Sequence, residues 1–336
     1  MAQQPLIAIV GPTGSGKTAL ALAMARDLSL RGPDGPKQSF GEIISADSRQ
    51  VYLGMDIGTG KERLPDVPQH LIDIVDPDED FTLADFLARA KCVIADIHAR
   101  GHVPIVVGGT GLYVQALVEN WDIPAVKPNP ALRAELEKKS VSELQKELAA
   151  IDPEEAERLG AGKRYLVRAL EMWHATGRKP SALKTKNEPL YDALVIGIVL
   201  PREELYRRID ARVDDMFARG LVDEVRELLK KYPANLSAFR TIGYREVIER
   251  PAYVIPSGVP RSGTKSRNLT DEISRLVRQG GLARNDEIET LKCAIKNHTH
   301  AYARRQLTWL RRMKYVEWVR NAKEALSRVD KDRQND

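Results

Sequence analysis

Residues Leu6-Ile7-Ala8-Ile9-Val10 run directly into Gly11-Pro12-Thr13-Gly14-Ser15-Gly16-Lys17-Thr18, and the helix-forming stretch Ala19-Leu20-Ala21-Leu22-Ala23 follows. An apolar strand, a glycine-rich turn and a helix in that order predict a P-loop. The spacing G-x-x-x-x-G-K-[ST] lets successive backbone N–H groups curl around phosphate oxygens, with Lys17 reaching the terminal phosphates and Thr18 offering its hydroxyl to Mg²⁺. The helix opening at Lys17 adds its positive N-terminal end. Gly11, Pro12, Thr13, Gly14, Ser15, Gly16, Lys17 and Thr18 are therefore the expected polyphosphate-binding residues, with Mg²⁺ as the expected cofactor. The motif leaves the reaction open, because such a loop serves a phosphate that is attacked as well as one that leaves.

Further short apolar runs at Glu42–Ser45, His70–Val75 and Val103–Val107 read as buried strands, with helical patterns between most of them. The strongest helix spans Thr82–Arg100, with Leu83, Phe86, Leu87, Ala90, Ile94 and Ile97 on one face, Thr82 as N-cap and Gly101 beyond the far end. Alternation of this kind predicts an α/β fold, a doubly wound parallel sheet with ligands at the carboxyl ends of its strands. From Trp121 to Pro189 the character changes to charged helical stretches, Ala131–Ala150, Glu154–Leu159 and Tyr165–Thr176. The sheet resumes at Ala193–Leu200, followed by a helix burying Leu205, Ile209, Val213 and Met216 and a second at Leu221–Lys231. A long helix is expected over Asp286–Arg312 and a short strand over Tyr315–Val319.

The expected organisation is thus a P-loop core in residues 1–120, an inserted helical domain in 121–190, the core resumed in 191–250, a basic loop insertion in 251–285, a C-terminal helix and strand of the core in 286–320, and a solvated tail in 321–336. The insertion at 251–284 carries Arg261, Lys265, Arg267, Arg275, Arg278 and Arg284 against Asp271 and Glu272.

With 336 residues and 43% apolar content the chain can bury a large core. No stretch has the apolar length of a membrane span and no signal-peptide pattern opens the chain, so no membrane partner and a cytoplasmic location are expected. Two cysteines, Cys92 and Cys293, exclude a disulfide framework and are expected to be buried thiols. Net charge is only +5, yet His300–Arg320 alone carries that much: Arg304, Arg305, Arg311, Arg312, Lys314 and Arg320 against Glu317, interleaved with Tyr302, Trp309, Tyr315 and Trp318. Such a segment reads as an amphipathic helix or as a nucleic-acid contact.

Asp47-Ser48-Arg49-Gln50-Val51-Tyr52 begins where the second strand ends, which makes Asp47 a candidate base beside the P-loop, a capping aspartate or an outer Mg²⁺ contact being the alternative. Gly108-Gly109-Thr110-Gly111-Leu112-Tyr113 closes the next strand, with glycines that would let a substrate approach where a Walker-B aspartate would otherwise stand. Asp73 is the remaining Walker-B substitute. Arg240-Thr241-Ile242-Gly243-Tyr244-Arg245 places two arginines around a glycine, a spacing that suits a pyrophosphate or an RNA backbone.

Taken in order, GPTGSGKT, DSRQVY with MDIGTGK, GGTGLY, RALEMWHATG, FRTIGYREV and RRQLTWLRR resemble the tRNA dimethylallyltransferases (tRNA isopentenyltransferases) over about Leu6 to Val319. The resemblance implies transfer of a dimethylallyl group from dimethylallyl diphosphate to the exocyclic amine of the adenosine 3′ to a tRNA anticodon, with the base flipped into a pocket. It implies Asp47 on the amine. Lys17, Thr18 with Mg²⁺, and Arg240 or Arg245 would hold the departing diphosphate. Asp47, Ser48, Arg49, Gln50, Thr110, Arg133, Arg240, Thr241, Ile242, Gly243, Tyr244 and Arg245 would face the tRNA anticodon stem-loop, and a monomer is expected. Two segments depart from that pattern: Leu159-Gly160-Ala161-Gly162 with Tyr165, where family members carry a His-Pro-Asn-Asp-like turn and an arginine, and the long 251–284 loop. Rival readings are an adenylate isopentenyltransferase acting on free AMP, ADP or ATP, a small-molecule kinase, and a non-enzymatic RNA-binding switch. The basic, aromatic His300–Arg320 segment favours a macromolecular acceptor.

Overall fold

The computed structural model describes residues 3–30, 41–124, 126, 129–183, 185–250, 285–321 and 323–328. The expected basic loop at 251–284 and most of the expected tail lie outside the described residues.

Two units divide the chain. The first comprises Met1–Phe81, Arg89–Gln115 and Tyr191–Asp336 and holds a six-stranded, all-parallel sheet. Its strands are β1 (Gln4–Val10), β2 (Gly41–Ser45), β3 (Gln69–His70), β4 (Val103–Gly108), β7 (Tyr191–Ile198) and β8 (Glu317–Val319), in the spatial order β3-β2-β4-β1-β7-β8. Parallel strands are covered on both faces and so read as apolar runs rather than alternating patterns; β1 is buried from Leu6 through Val10. Helix α1 (Lys17–Leu30) lays Leu20, Ala21, Met24 and Ala25 on Ile7, Ile9, Ile43, Ile105, Val107, Ile196 and Ile198. Because β2, β4 and β1 are parallel neighbours, their carboxyl ends deliver Asp47, Gly109 and the P-loop to one edge.

Helix α8 (Arg202–Ala218) buries Leu205, Ile209, Val213 and Met216, the four positions the pattern predicts. Leu205 and Ile209 pack on Ala303 of the long helix Asn285–Leu310. Helix α9 (Leu221–Lys231) buries Leu221, Val225, Leu228 and Leu229 in a second cluster with Tyr52, Met55, Phe239 and Tyr244.

The second unit, Thr82–Ala88 with Ala116–Leu190, contains the 121–190 stretch read as an insertion. Its helices α4 (Pro130–Lys138), α5 (Val141–Ile151), α6 (Pro153–Leu159) and α7 (Lys163–Thr176) enclose Leu136, Leu144, Leu148, Ala156, Leu166, Val167, Ala169 and Leu170. A two-stranded ribbon, β5 (Trp121–Asp122) and β6 (Thr185–Lys186), pairs antiparallel and was not evident in the sequence.

Three expectations need correction. The Ala131–Ala150 stretch is two helices, because Ser140 accepts the Glu143 N–H while Glu143 accepts the Ser140 N–H, a capping box that starts a new helix. The run His70–Val75 is strand only to His70: Leu71 and Asp73 adopt positive φ (60° and 55°), and the Asp73 and Ile74 N–H groups donate to Gln50 and Val51 carbonyls instead. Finally, Cys92 and Cys293 are exposed. Around Cys92 on helix α2 (Leu83–Ala99) the buried stripe runs through Ala90, Ile94 and Ile97, and around Cys293 on the long helix through Leu291 and Ile295, which turns both thiols outward.

Candidate functional site

The P-loop turns with Gly14 at φ 78° and Gly16 at φ 90°, a backbone region that a Cβ would strain. Its amides are divided between structure and ligand. Thr13 N–H donates to Gln306 Oε1 (2.9 Å) and Ser15 N–H to the Pro12 carbonyl (3.2 Å). The N–H groups of Gly14 and Gly16, and those of Lys17 and Thr18 in the first helical turn, have no partner among the described residues, which is the donor set a phosphate needs. The buried Ser15 hydroxyl likewise has no hydrogen-bond partner among them.

Lys17 Nζ donates to the Pro12 carbonyl (2.7 Å). Burial, reinforced by the charge of Arg212, pushes its pKa down to about 8, against the opposing pull of Asp47. Arg212, on α8, is itself held below its ordinary value by burial, with Asp47 acting in the opposite direction. Its Nη2 donates to the Thr59 carbonyl (3.2 Å), next to Gly60. Tyr302 completes the group: burial, then the charge of Asp47, pushes its hydroxyl up to about 12. Asp47 is half-buried and accepts one hydrogen bond, from the Arg49 N–H at 2.8 Å. A carboxylate with open acceptor positions thus stands within the field of two desolvated cations.

The neighbouring motifs hold this edge in place. Thr110 Oγ1 accepts the Ser48 N–H (3.2 Å), joining the β4 turn to the Asp47 loop. Gln50 Oε1 accepts from Ser45 Oγ (3.0 Å), and its Nε2 lies 3.5 and 3.4 Å from the Thr59 and Gly60 carbonyls. The glycines of the β4 turn do not make room for a substrate as the sequence suggested. A Cβ at Gly109 would collide with Gln306 Nε2, and one at Gly111 would stand 2.5 Å from Trp309 Cδ1, so the close approach is by the long helix. Asp73 is no Walker-B residue in this arrangement: its carboxylate is engaged by Lys61 Nζ (2.5 Å) and by Arg63.

The Arg240–Arg245 segment divides by side chain. Arg240 is exposed: its backbone N–H donates to the Ser237 carbonyl (3.2 Å), while its guanidinium has no hydrogen-bond or ion-pair partner among the described residues. Tyr244 is 0% exposed and its hydroxyl donates to Glu224 Oε1 (2.5 Å). The same Glu224 carboxylate accepts the N–H groups of Asp56, Ile57 and Gly58 at 3.0, 2.7 and 3.1 Å. Tyr244, expected to face RNA, therefore braces the MDIGTG loop from within. Ile242 is partly buried against the same core, Gly243 (φ 98°) donates to Glu246 Oε2, and Thr241 Oγ1 donates to the Ala238 carbonyl. Arg245 pairs with Glu246 (2.5 Å) and lies 3.2 Å from His298 Nδ1. Arg133, in the second unit, shares the buried Glu171 with Arg168, each at 2.7 Å.

The sequence assigns no site role to Arg212 or Glu224, and it marks Tyr302 and Gln306 only as members of the basic, aromatic His300–Arg320 segment and its RRQLTWLRR motif. Arg212 had one signal: with Arg208 it flanks Ile209 and Val213 at helical spacing, beside the buried stripe.

Fold and site together define a P-loop α/β protein whose phosphate loop faces an unsaturated carboxylate. A family model described as IPP transferase matches residues 50–313, and the chain belongs to that family. A tRNA dimethylallyltransferase of Thermomicrobium roseum is 43% identical over 325 residues, covering 94% of this chain and 86% of the relative. The enzyme of the same name from Symbiobacterium thermophilum is 40% identical over 325 residues, 94% of this chain and 89% of the relative. Among solved structures, a tRNA isopentenylpyrophosphate transferase from Bacillus halodurans superposes with a TM-score of 0.63 at 32% identity, covering 99% of this chain and 96% of that one. A eukaryotic dimethylallyltransferase acting on tRNA gives 0.64 at 27% identity, covering 91% and 70%. Among the described residues no helix is long and apolar enough to cross a membrane.

Proposed function

We propose that this chain is a tRNA dimethylallyltransferase, moving the prenyl group of dimethylallyl diphosphate to an exocyclic adenine amine beside the anticodon. The observation that supports the reading is the delivery of the P-loop, with Lys17, and of Asp47 to one sheet edge by the parallel neighbours β1, β4 and β2, with Arg212 within the electrostatic field of both. Desolvated cations beside a P-loop suit a departing diphosphate, and a carboxylate with open acceptor positions suits a nucleophile. The amine nitrogen forms a bond to the first prenyl carbon as the carbon–oxygen bond breaks and the diphosphate departs with the electron pair. Asp47 takes the amine proton. Positive charge fixed in advance around the leaving group costs no reorganisation during the reaction.

The fit to Mg²⁺ rests on Thr18, which lies in the first turn of α1 directly after the P-loop lysine. No cluster of three acidic, histidine or cysteine ligands exists among the described residues. That donor set suits an ion shared between one hydroxyl and diphosphate oxygens, and Thr18 would hold it there. When bound, such an ion would supply charge neutralisation to the diphosphate. Arg240 and the Asp47–Gln50 turn would meet the RNA.

Incubation with labelled dimethylallyl diphosphate, Mg²⁺ and either tRNA or AMP tests the reading. Label in tRNA alone is expected. Label in AMP alone would overturn it in favour of a free-nucleotide prenyltransferase.

A further inference from the structure

We propose that Gln306 is a positioning residue for prenyl transfer: its side-chain amide ties the P-loop to the β4 turn and so sets the spacing between leaving group and acceptor. The inference rests on the reading of the P-loop as the diphosphate site. Gln306 lies on the long helix, distant in sequence from both loops, and is 7% exposed. Its Oε1 accepts the Thr13 N–H at 2.9 Å and its Nε2 donates to the Gly109 carbonyl at 2.8 Å. The amide also interacts with the Tyr302 hydroxyl, one helical turn earlier.

Only a side chain that both donates and accepts can make this bridge. The bridge continues on the acceptor side, since Gly109 adjoins Thr110, whose hydroxyl accepts the Ser48 N–H next to Asp47. An unbroken series of covalent and hydrogen bonds therefore runs from the loop under the diphosphate, through Gln306, to the carboxylate that engages the amine. Gly109 lacks the side chain that would push Gln306 aside. Thr13 N–H, held by this amide, is withdrawn from the phosphate cradle, so Gln306 orients the loop without being part of the anion site. Displacement at carbon requires the reacting atoms to be held about 3–3.5 Å apart, and a displacement of about 1 Å can cost on the order of 10²-fold in rate.

The test uses the full-length protein with dimethylallyl diphosphate, Mg²⁺ and tRNA, comparing wild type with Gln306→Met and Gln306→Glu. For Gln306→Met, donor and tRNA dissociation constants are expected to stay within about threefold of wild type. Its single-turnover transfer rate is expected to fall about 10–100-fold. Gln306→Glu keeps the acceptor for Thr13 and loses the donor to Gly109. Its transfer rate is expected to recover as pH falls and the introduced carboxyl gains a proton, a dependence wild type lacks. Unchanged single-turnover rates in a folded Gln306→Met protein would overturn the proposal, as would loss of donor binding, which would place Gln306 in the anion site. Should Gln306→Met fail to fold, the pH profile of Gln306→Glu decides: a profile parallel to wild type overturns the proposal. Wild-type protein that does not prenylate tRNA would overturn the underlying reading, whereas an active wild type with unaffected variants would overturn only the role of Gln306.

Discussion

Strand β2 carries one carboxylate near its start and delivers another just past its end, and the two are treated oppositely. Glu42 is 2% exposed and saturated: His70 Nε2 lies 2.7 Å away, His102 Nδ1 2.5 Å, and Arg100 Nη2 donates to it at 2.9 Å. Burial alone would raise its pKa, but the bonds from His102, His70 and Arg100 outweigh burial and hold the carboxyl below its ordinary value. Asp47 is half-buried, with a single backbone donor and two desolvated cations in its field. A closed network fixes geometry and has no acceptor left for a substrate, whereas an open one is available for chemistry. On this reading Glu42 serves the stability of the sheet, and Asp47 is the carboxylate proposed for the reaction.

The largest effect that could break this contrast is at Asp47. Asp47→Asn keeps the shape and the Arg49 contact but loses charge and basicity, so transfer is expected to fall about 10²–10⁴-fold. Donor and tRNA affinities should change little. Single-turnover kinetics with near-normal rates would remove Asp47 from the chemistry and leave the two carboxylates alike.

Glu42→Ala should do the reverse. Its partners His70, Arg100 and His102 are partly exposed and Arg100 keeps Asp96, so losing their common acceptor should cost about 1–3 kcal/mol, while the transfer rate per folded molecule stays near wild type. Because the folded pKa of Glu42 is depressed, the stabilisation is present above the unfolded value and is lost as pH falls through the folded one. Urea titrations at neutral and acidic pH measure both statements. A Glu42→Ala protein of wild-type stability and impaired turnover would invert the assignment.

Lys17 sharpens the comparison from the cation side. Its pKa of about 8 is that of the site without an anion, and a bound diphosphate favours the charged form and raises it. Donor affinity should therefore be flat below pH 8 and weaken above it, by up to about tenfold per pH unit. Calorimetric titration of the donor from pH 7 to 9.5 reads this, and Lys17→Met should abolish the slope. A flat profile for wild type would mean that Lys17 does not meet the diphosphate.

The contrast also marks how far the sequence was legible. Elements carried by apolar period, such as β1, α8 and α9, were readable because burial alone determines them, and the P-loop because its glycines and lysine are contiguous. The Glu42 network was not readable: His70, Arg100 and His102 converge on it from separate strand and helix ends, which local pattern does not encode. Arg212 was hidden for the same reason, and Tyr302 and Gln306, visible within a basic, aromatic segment, gave no local sign of the loops they meet. The motif stretch Arg240–Arg245 was visible as a unit, but which of its side chains face outward depends on Glu224, a residue from another helix.

That last point supplies the smallest and most discriminating prediction. Tyr244 belongs to the closed class, fully buried with its hydroxyl on Glu224, while Arg240 is exposed and its guanidinium unpaired among the described residues. Tyr244→Phe leaves Glu224 with its three backbone donors, so the cost should be about 0.5–1.5 kcal/mol of stability. Its tRNA affinity should keep the salt dependence of wild type. Arg240→Ala should leave stability unchanged and reduce the log–log slope of tRNA affinity against salt by about 0.7–0.9, the signature of one lost phosphate contact. Paired salt titrations of the two variants separate the roles, because a purely structural effect on either would lower affinity equally at every salt concentration. If Tyr244→Phe changes the slope and Arg240→Ala does not, the division of this motif into an inward brace and an outward contact is wrong.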